Sequence, residues 1–138
     1  MKHILLILTC LAGITITYGQ TVIEVRKDND TNRIFTKVEE EAGFPGGDTA
    51  WRHFLQKNLN AFVAIDNGAK KGRYTVIVKF IVSKDGTITD VYCENDPGYG
   101  MCQESVRVIK KTLKWIPAKV NGHNVNAYRR QPFTFQIE

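Results

Sequence analysis

Hydrophobic and polar residues alternate most regularly just past the middle of the chain. From Gly72, the side chains of Tyr74, Val76, Val78, Phe80 and Val82 share one face of an extended segment, and Thr75, Ile77, Lys79, Ile81 and Ser83 share the other. Lys84-Asp85-Gly86-Thr87 predicts a hairpin turn, because Gly86 accepts the positive φ that such a turn requires. Thr87 to Glu94 then returns as a second strand, carrying Ile88 and Val91 and ending at Cys93. These spacings predict an antiparallel hairpin.

Upstream, Ile34, Thr36 and Val38 alternate with Phe35 and Lys37 and suggest a short strand. Glu39-Glu40-Glu41 reads as a solvated run. Phe44-Pro45-Gly46-Gly47 breaks the chain ahead of Asp48, an expected helix N-cap. Trp51, Phe54, Leu55 and Leu59 then recur at helical spacing along one apolar face. Downstream, Val106, Ile109 and Leu113 predict the buried face of a second helix. Arg107, Lys110, Lys111 and Lys114 occupy much of the remainder, and Pro117 is its expected stop just after Trp115 and Ile116. Asn121-Gly122 marks a turn, and Val125 to Ile137 reads as the last strand. Pro132 within it cannot donate a ladder hydrogen bond, which favours a sheet edge or a bulge. The order implies an α+β fold: a three-stranded antiparallel sheet, with an optional extra N-terminal edge strand, and two helices packed on one face.

The N-terminus adds a location. Lys2 and His3 precede a run from Ile4 to Tyr18 without charge, and small residues Thr17 and Gly19 stand before Gln20. That is the layout of a secretory signal peptide. The apolar stretch falls short of the roughly 20 residues of a membrane span. Residues 1–19 are therefore expected to be removed and the remainder to lie in the periplasm; left uncleaved, they would tether it to the inner membrane. Residues 20–33 read as a polar leader, with a weakly alternating piece from Val22 to Val25, and residues 34–138 as one domain. Removing residues 1–19 from 138 leaves 119 and takes away one basic residue, Lys2, so 19 basic and 14 acidic residues become 18 and 14, a formal charge of +4. No basic run is interleaved with aromatics, and an exported chain does not meet the nucleoid, so nucleic acid is not an expected partner.

Cys93 and Cys102 are the two cysteines beyond the signal segment. In an oxidising compartment the pair reads first as a disulfide across the loop that holds Pro97, Gly98 and Gly100; two free thiols and a redox pair are the alternatives. His53 and His123 stand in no metal-ligand spacing, and a Cys102 nucleophile with His123 as base would need free thiols and a third, orienting group. No catalytic residue, metal or cofactor is expected, and the chain does not read as an enzyme.

In order and spacing, Phe44-Pro45-Gly46-Gly47, Gly72 with its β run, Asp85-Gly86, Asp90-Val91, Lys114-Trp115-Ile116-Pro117-Ala118, Asn121-Gly122 and Val125 resemble the TonB C-terminal domain family over about residues 34–137. The resemblance implies a protein-binding module. Domains of this family grip the TonB-box segments of outer-membrane receptors by accepting the box as an added strand, and they work with an ExbB/ExbD-type complex that energises import. Carried over by position, Val125, Asn126, Ala127, Tyr128, Arg129, Arg130 and Gln131 are the expected peptide-binding strand, with Tyr128 and Arg130 on one face and Ala127 and Arg129 on the other. The chain departs from the full-length pattern in showing no long anchor, no Pro-rich spacer and no Tyr-Pro element between Asn58 and Lys71. A second expectation therefore stands beside the first. It is an envelope protein that keeps the fold but binds peptidoglycan through its basic helix face, or pairs with a second copy as a homodimer through the last strand.

Overall fold

The computed structural model describes residues 32–138. The expected signal peptide, and the leader apart from its last two residues, lie outside the described residues.

β2 (Gly72–Val82) and β3 (Ile88–Cys93) form the expected antiparallel hairpin. Its turn is organised by Asp85, whose carboxylate accepts hydrogen bonds from the Ser83 hydroxyl and, at 3.0 Å, from the Thr87 amide. Those bonds, the Ser83 one foremost, hold the Asp85 carboxyl well below the usual carboxylate range. β5 (His123–Ile137) runs antiparallel to all of β2, from Gly72 opposite Ile137 to Val82 opposite Ala127. The ladder β5-β2-β3 is thus the expected three-stranded sheet.

The optional N-terminal edge strand is present as β1 (Ile34–Phe35), and β4 (Ala118–Val120) is an addition to the expectation, making five strands and a mixed sheet among the described residues. β1 pairs in parallel with Asn126 and Ala127 of β5. β4 pairs with His123, Asn124 and Val125 through a tight turn at Asn121-Gly122. Asn121 and Gly122 have φ of 51° and 75°, the left-handed pair that a two-residue type I′ hairpin needs. A three-residue strand is too short to display a period, so only its turn was legible beforehand.

One face of the sheet carries the core. Val76, Val78, Phe80 and Val82 of β2 are completely buried, beside Phe133, Phe135 and Ile137 of β5. Over them lie α1 (Gly47–Asn58) and α3 (Met101–Lys111), joined to the sheet through Trp51, Met101, Val108 and Ile109. The Trp115 ring is 5.0 Å from Phe80, 5.8 Å from Trp51 and 5.8 Å from Phe44. Phe44 also lies 5.2 Å from Trp51. Such ring pairs add about 0.5–1.5 kcal/mol each beyond the area they bury. The backbone brings Phe44 and Trp115 together: Gly43 and Ile116 exchange hydrogen bonds of 3.0 and 2.8 Å, and Glu40 and Lys119 do the same one step along.

The helices depart from the sequence reading in three places. Asp48 does not cap α1; Gly46 occupies the N-cap in a left-handed conformation without any side-chain cap, and Asp48 sits in the first turn. Its charge there still suits the positive helix end. The stretch after α1 contains a one-turn helix, α2 (Val63–Asp66), too short to be read from spacing. Most consequentially, α3 ends at Lys111, before Pro117 is reached. The Thr112 hydroxyl donates to the Ile109 carbonyl at 2.7 Å and accepts from the Trp115 indole at 2.9 Å. The chain leaves the helix there, so Trp115 enters the core from an extended segment and Leu113, expected to be buried, is 88% exposed.

Candidate peptide-binding edge

A strand that accepts a peptide must offer backbone groups that nothing else has taken. The two edges of the main ladder differ in this respect. On β5, Val125 is already opposite Ala118, Asn126 opposite Ile34 and Ala127 opposite Phe35. Asn126 additionally accepts the Lys84 amide on its side-chain oxygen at 2.9 Å. From Tyr128 to Ile137, no strand lies on the outer side of β5 among the described residues. The expected binding segment thus divides: residues 125–127 are paired internally and residues 128–131 are open.

The direction of the open groups follows from Ile77. Its carbonyl accepts from the Glu94 amide at 2.8 Å and its amide donates to Asn95 Oδ1 at 2.8 Å, so both point away from β5. Ile77 pairs with Pro132, which makes this a non-hydrogen-bonded pair of the antiparallel ladder. The backbone groups of Pro132 therefore face outward, where its missing N–H costs the sheet nothing. By alternation Tyr128, Arg130, Thr134 and Gln136 also turn their amides and carbonyls outward, while Gln131 pairs inward with Val78.

The side chains at the near end of this edge form a charged corner. Tyr128 and Arg130 lie opposite Ile81 and Lys79, on the face of the sheet away from Val78, Phe80 and Val82. The Lys79 ammonium stands 4.4 Å from the Tyr128 ring centroid. Arg130 donates from Nε at 2.8 Å and from Nη2 at 2.5 Å to Glu94 Oε2. Arg129 turns to the opposite face, where Nη2 donates to Gln131 Oε1 at 3.3 Å, Nη1 lies 4.0 Å from Glu41, and Nε is buried without an acceptor. A concavity of about 310 Å³ opens between Thr36, Glu41, Lys79, Tyr128, Arg129 and Arg130. It begins where β1 leaves the edge.

The remaining candidate residues have structural places. Cys93, at the end of β3, and Cys102, in the first turn of α3, are disulfide-bonded with Cα atoms 6.1 Å apart. Of the basic helix residues, Arg107 is committed to the protein: it donates to both Glu104 oxygens, at 2.9 and 2.6 Å, and to the Asn58 carbonyl at 2.6 Å. Buried Glu104 also accepts the Asn60 amide at 2.7 Å. The Arg107 hydrogen bonds lower the Glu104 carboxyl below its ordinary value and raise the guanidinium above its own. His53 and His123 are exposed. Among the described residues no three His, Cys, Asp or Glu side chains group as metal ligands, and no helix is long and apolar enough to cross a membrane.

Residues 69–137, which run from just before β2 to the end of β5, match the model of the family described as Gram-negative bacterial TonB protein C-terminal. No curated protein and no solved structure matches the chain. The matched span contains the open β5 edge, the hairpin and α3, and the family is one of non-enzymatic protein-interaction domains serving transport in the Gram-negative envelope. With half its length in that match and an α+β fold of the same kind, the chain belongs to the TonB C-terminal domain family.

Proposed function

We propose that this chain is a periplasmic module of outer-membrane transport that receives the TonB-box segment of a receptor as an added strand on β5, from Tyr128 onward. The observation that carries the reading is the outward backbone of β5, unclaimed by any strand beyond Ala127 among the described residues. β1 supports it further, because a parallel strand already pairs with this edge immediately upstream. The added strand would continue the line of β1, with alternate side chains passing Tyr128 and Arg130 on one face and Arg129 and Gln131 on the other. Pro132 offers an outward carbonyl but no amide, so Tyr128 to Gln131 forms the continuous part of the ladder and the pairing weakens past it.

The test is a titration of the exported protein with TonB-box peptides from the host's own receptors, followed by backbone amide shifts. Saturable shifts centred on residues 128–131, with smaller ones at Thr134 and Gln136, are expected. Absence of shifts in a large excess of peptide overturns the reading. Broadening of the same amides with protein concentration alone would assign the edge to a second copy of the chain.

A further inference from the structure

We infer that the groove between β3 and the end of α3 is a second docking site, for a partner segment that presents a bulky apolar side chain next to an acidic one. The groove encloses about 580 Å³. Ile88 and Val91 of β3, Ile109 of α3 and Leu113 supply its apolar lining, with Lys110 and Lys114 on one rim and Asp90 on the other. Leu113 is 88% exposed and Ile116, just beyond, is 52% exposed. Aliphatic surface held open beside a concave apolar lining marks an interaction site more than a packing remnant.

The shape of the edge decides how the groove is filled. β3 is the other terminal strand of the ladder, but Asp90 has a φ of 52° and the β2–β3 register shifts across it. A bulge of this kind interrupts the outward row of backbone groups and discourages strand addition. The occupant therefore enters side chain first. Among the described residues no aromatic ring lines the groove, so a sugar ring finds no stacking platform there, whereas four aliphatic side chains suit a Leu, Met or Phe.

Charge complementarity selects the rest of the partner. Lys114 is held by Asp85, at 3.7 Å, and by the Thr87 hydroxyl, at 2.9 Å. The side chains of Lys110 and Lys111 make no hydrogen bond or ion pair among the described residues, and Lys110 faces the groove. Asp90 opposes them from β3 and repels an anion, so an acidic residue is steered to the helix rim. This surface lies on the opposite terminal strand from the β5 edge, and it stands whether or not β5 binds a receptor.

The probe is a short capped peptide with a Leu-Phe pair flanked on both sides by Asp and Glu, added to the exported protein while the methyl signals of Ile88, Val91, Ile109 and Leu113 are followed. Saturable shifts at these methyls are expected. Lys110→Gln should weaken binding by about two- to fivefold, and Leu113→Ala by about fivefold or more. Asp90→Asn, which keeps a residue at ease with positive φ, should tighten it by about twofold. Leu113 is so exposed that its truncation leaves the fold intact, which far-UV circular dichroism verifies. Equal binding of a peptide with Ser in place of the Leu-Phe pair would reduce the site to charge attraction and overturn the proposal. So would shifts caused by soluble peptidoglycan fragments but not by the peptide, or shifts confined to Tyr128–Gln136.

Discussion

The backbone amide of Trp115 donates to the Gly86 carbonyl at 3.0 Å, and a Cβ built on Gly86 would stand only 2.3 Å from the Trp115 carbonyl oxygen. The tip of the β2–β3 hairpin is thereby docked on the segment that delivers Trp115 to the core. Gly86 also has a φ of 86°, so a side chain is opposed both by its own backbone and by its neighbour's. Gly86→Ala should cost about 2–4 kcal/mol, read as a lower denaturant midpoint. A cost below half a kilocalorie would mean the hairpin tip is not held against Trp115 in solution.

Glu104 links the two long helices, reaching Arg107 on α3 and the Asn60 amide just past α1. Its carboxyl, lowered from the ordinary 4.5 chiefly by the Arg107 bonds, favours the folded state when ionised. That stability is complete above pH 4.5 and is lost as pH falls through the lower folded value. Glu104→Gln should cost about 2 kcal/mol near neutral pH and flatten the acid limb of the stability profile. Parallel acid limbs in the two proteins would remove Glu104 as their source.

The Cys93–Cys102 bond closes a separation of nine residues between β3 and α3. Replacing both cysteines with Ser should lower stability by about 2–3 kcal/mol, chiefly by freeing the unfolded chain. Cys93 stands opposite Val78, and Val78 opposite Gln131, so β2 separates the bond from β5. Affinity for a β5 ligand should therefore stay within error when measured well below the melting temperature. Loss of that affinity in a folded variant would tie the disulfide to the binding edge.

Proline distinguishes the two sides of β5. Thr134 turns its backbone outward, as Pro132 does, so Thr134→Pro should cost the fold about 1 kcal/mol or less. Gln131 pairs inward with Val78, and Gln131→Pro removes a β2–β5 bond at a cost of about 3 kcal/mol. Comparable melting temperatures for the two variants would show the inferred alternation to be out of phase.

Much of the architecture was legible beforehand because it rests on local rules. The alternation from Tyr74 to Val82, the positive φ of Gly86 and the turn at Asn121-Gly122 are decided within a few residues, and the structure keeps each of them. An even pair of cysteines reads first as a disulfide, and the Cys93–Cys102 bond is present in the structure. The family resemblance, carried by short motifs in order, is matched over residues 69–137.

What the sequence by itself determined is therefore the identity and hand of most local elements, which depend on backbone sterics and on side-chain period. Tertiary structure alone decided which backbone groups remain available. Val125, Asn126 and Ala127 resemble an open strand as much as Tyr128 to Gln131 do, but Ala118, Ile34 and Phe35 return from elsewhere in the chain to lie opposite them. Leu113 has the spacing of a buried helix residue and is exposed because Thr112 ends α3 early and lets Trp115 fill the core instead. Both outcomes turn on competition between distant segments for one surface, and a local pattern carries no record of which segment wins.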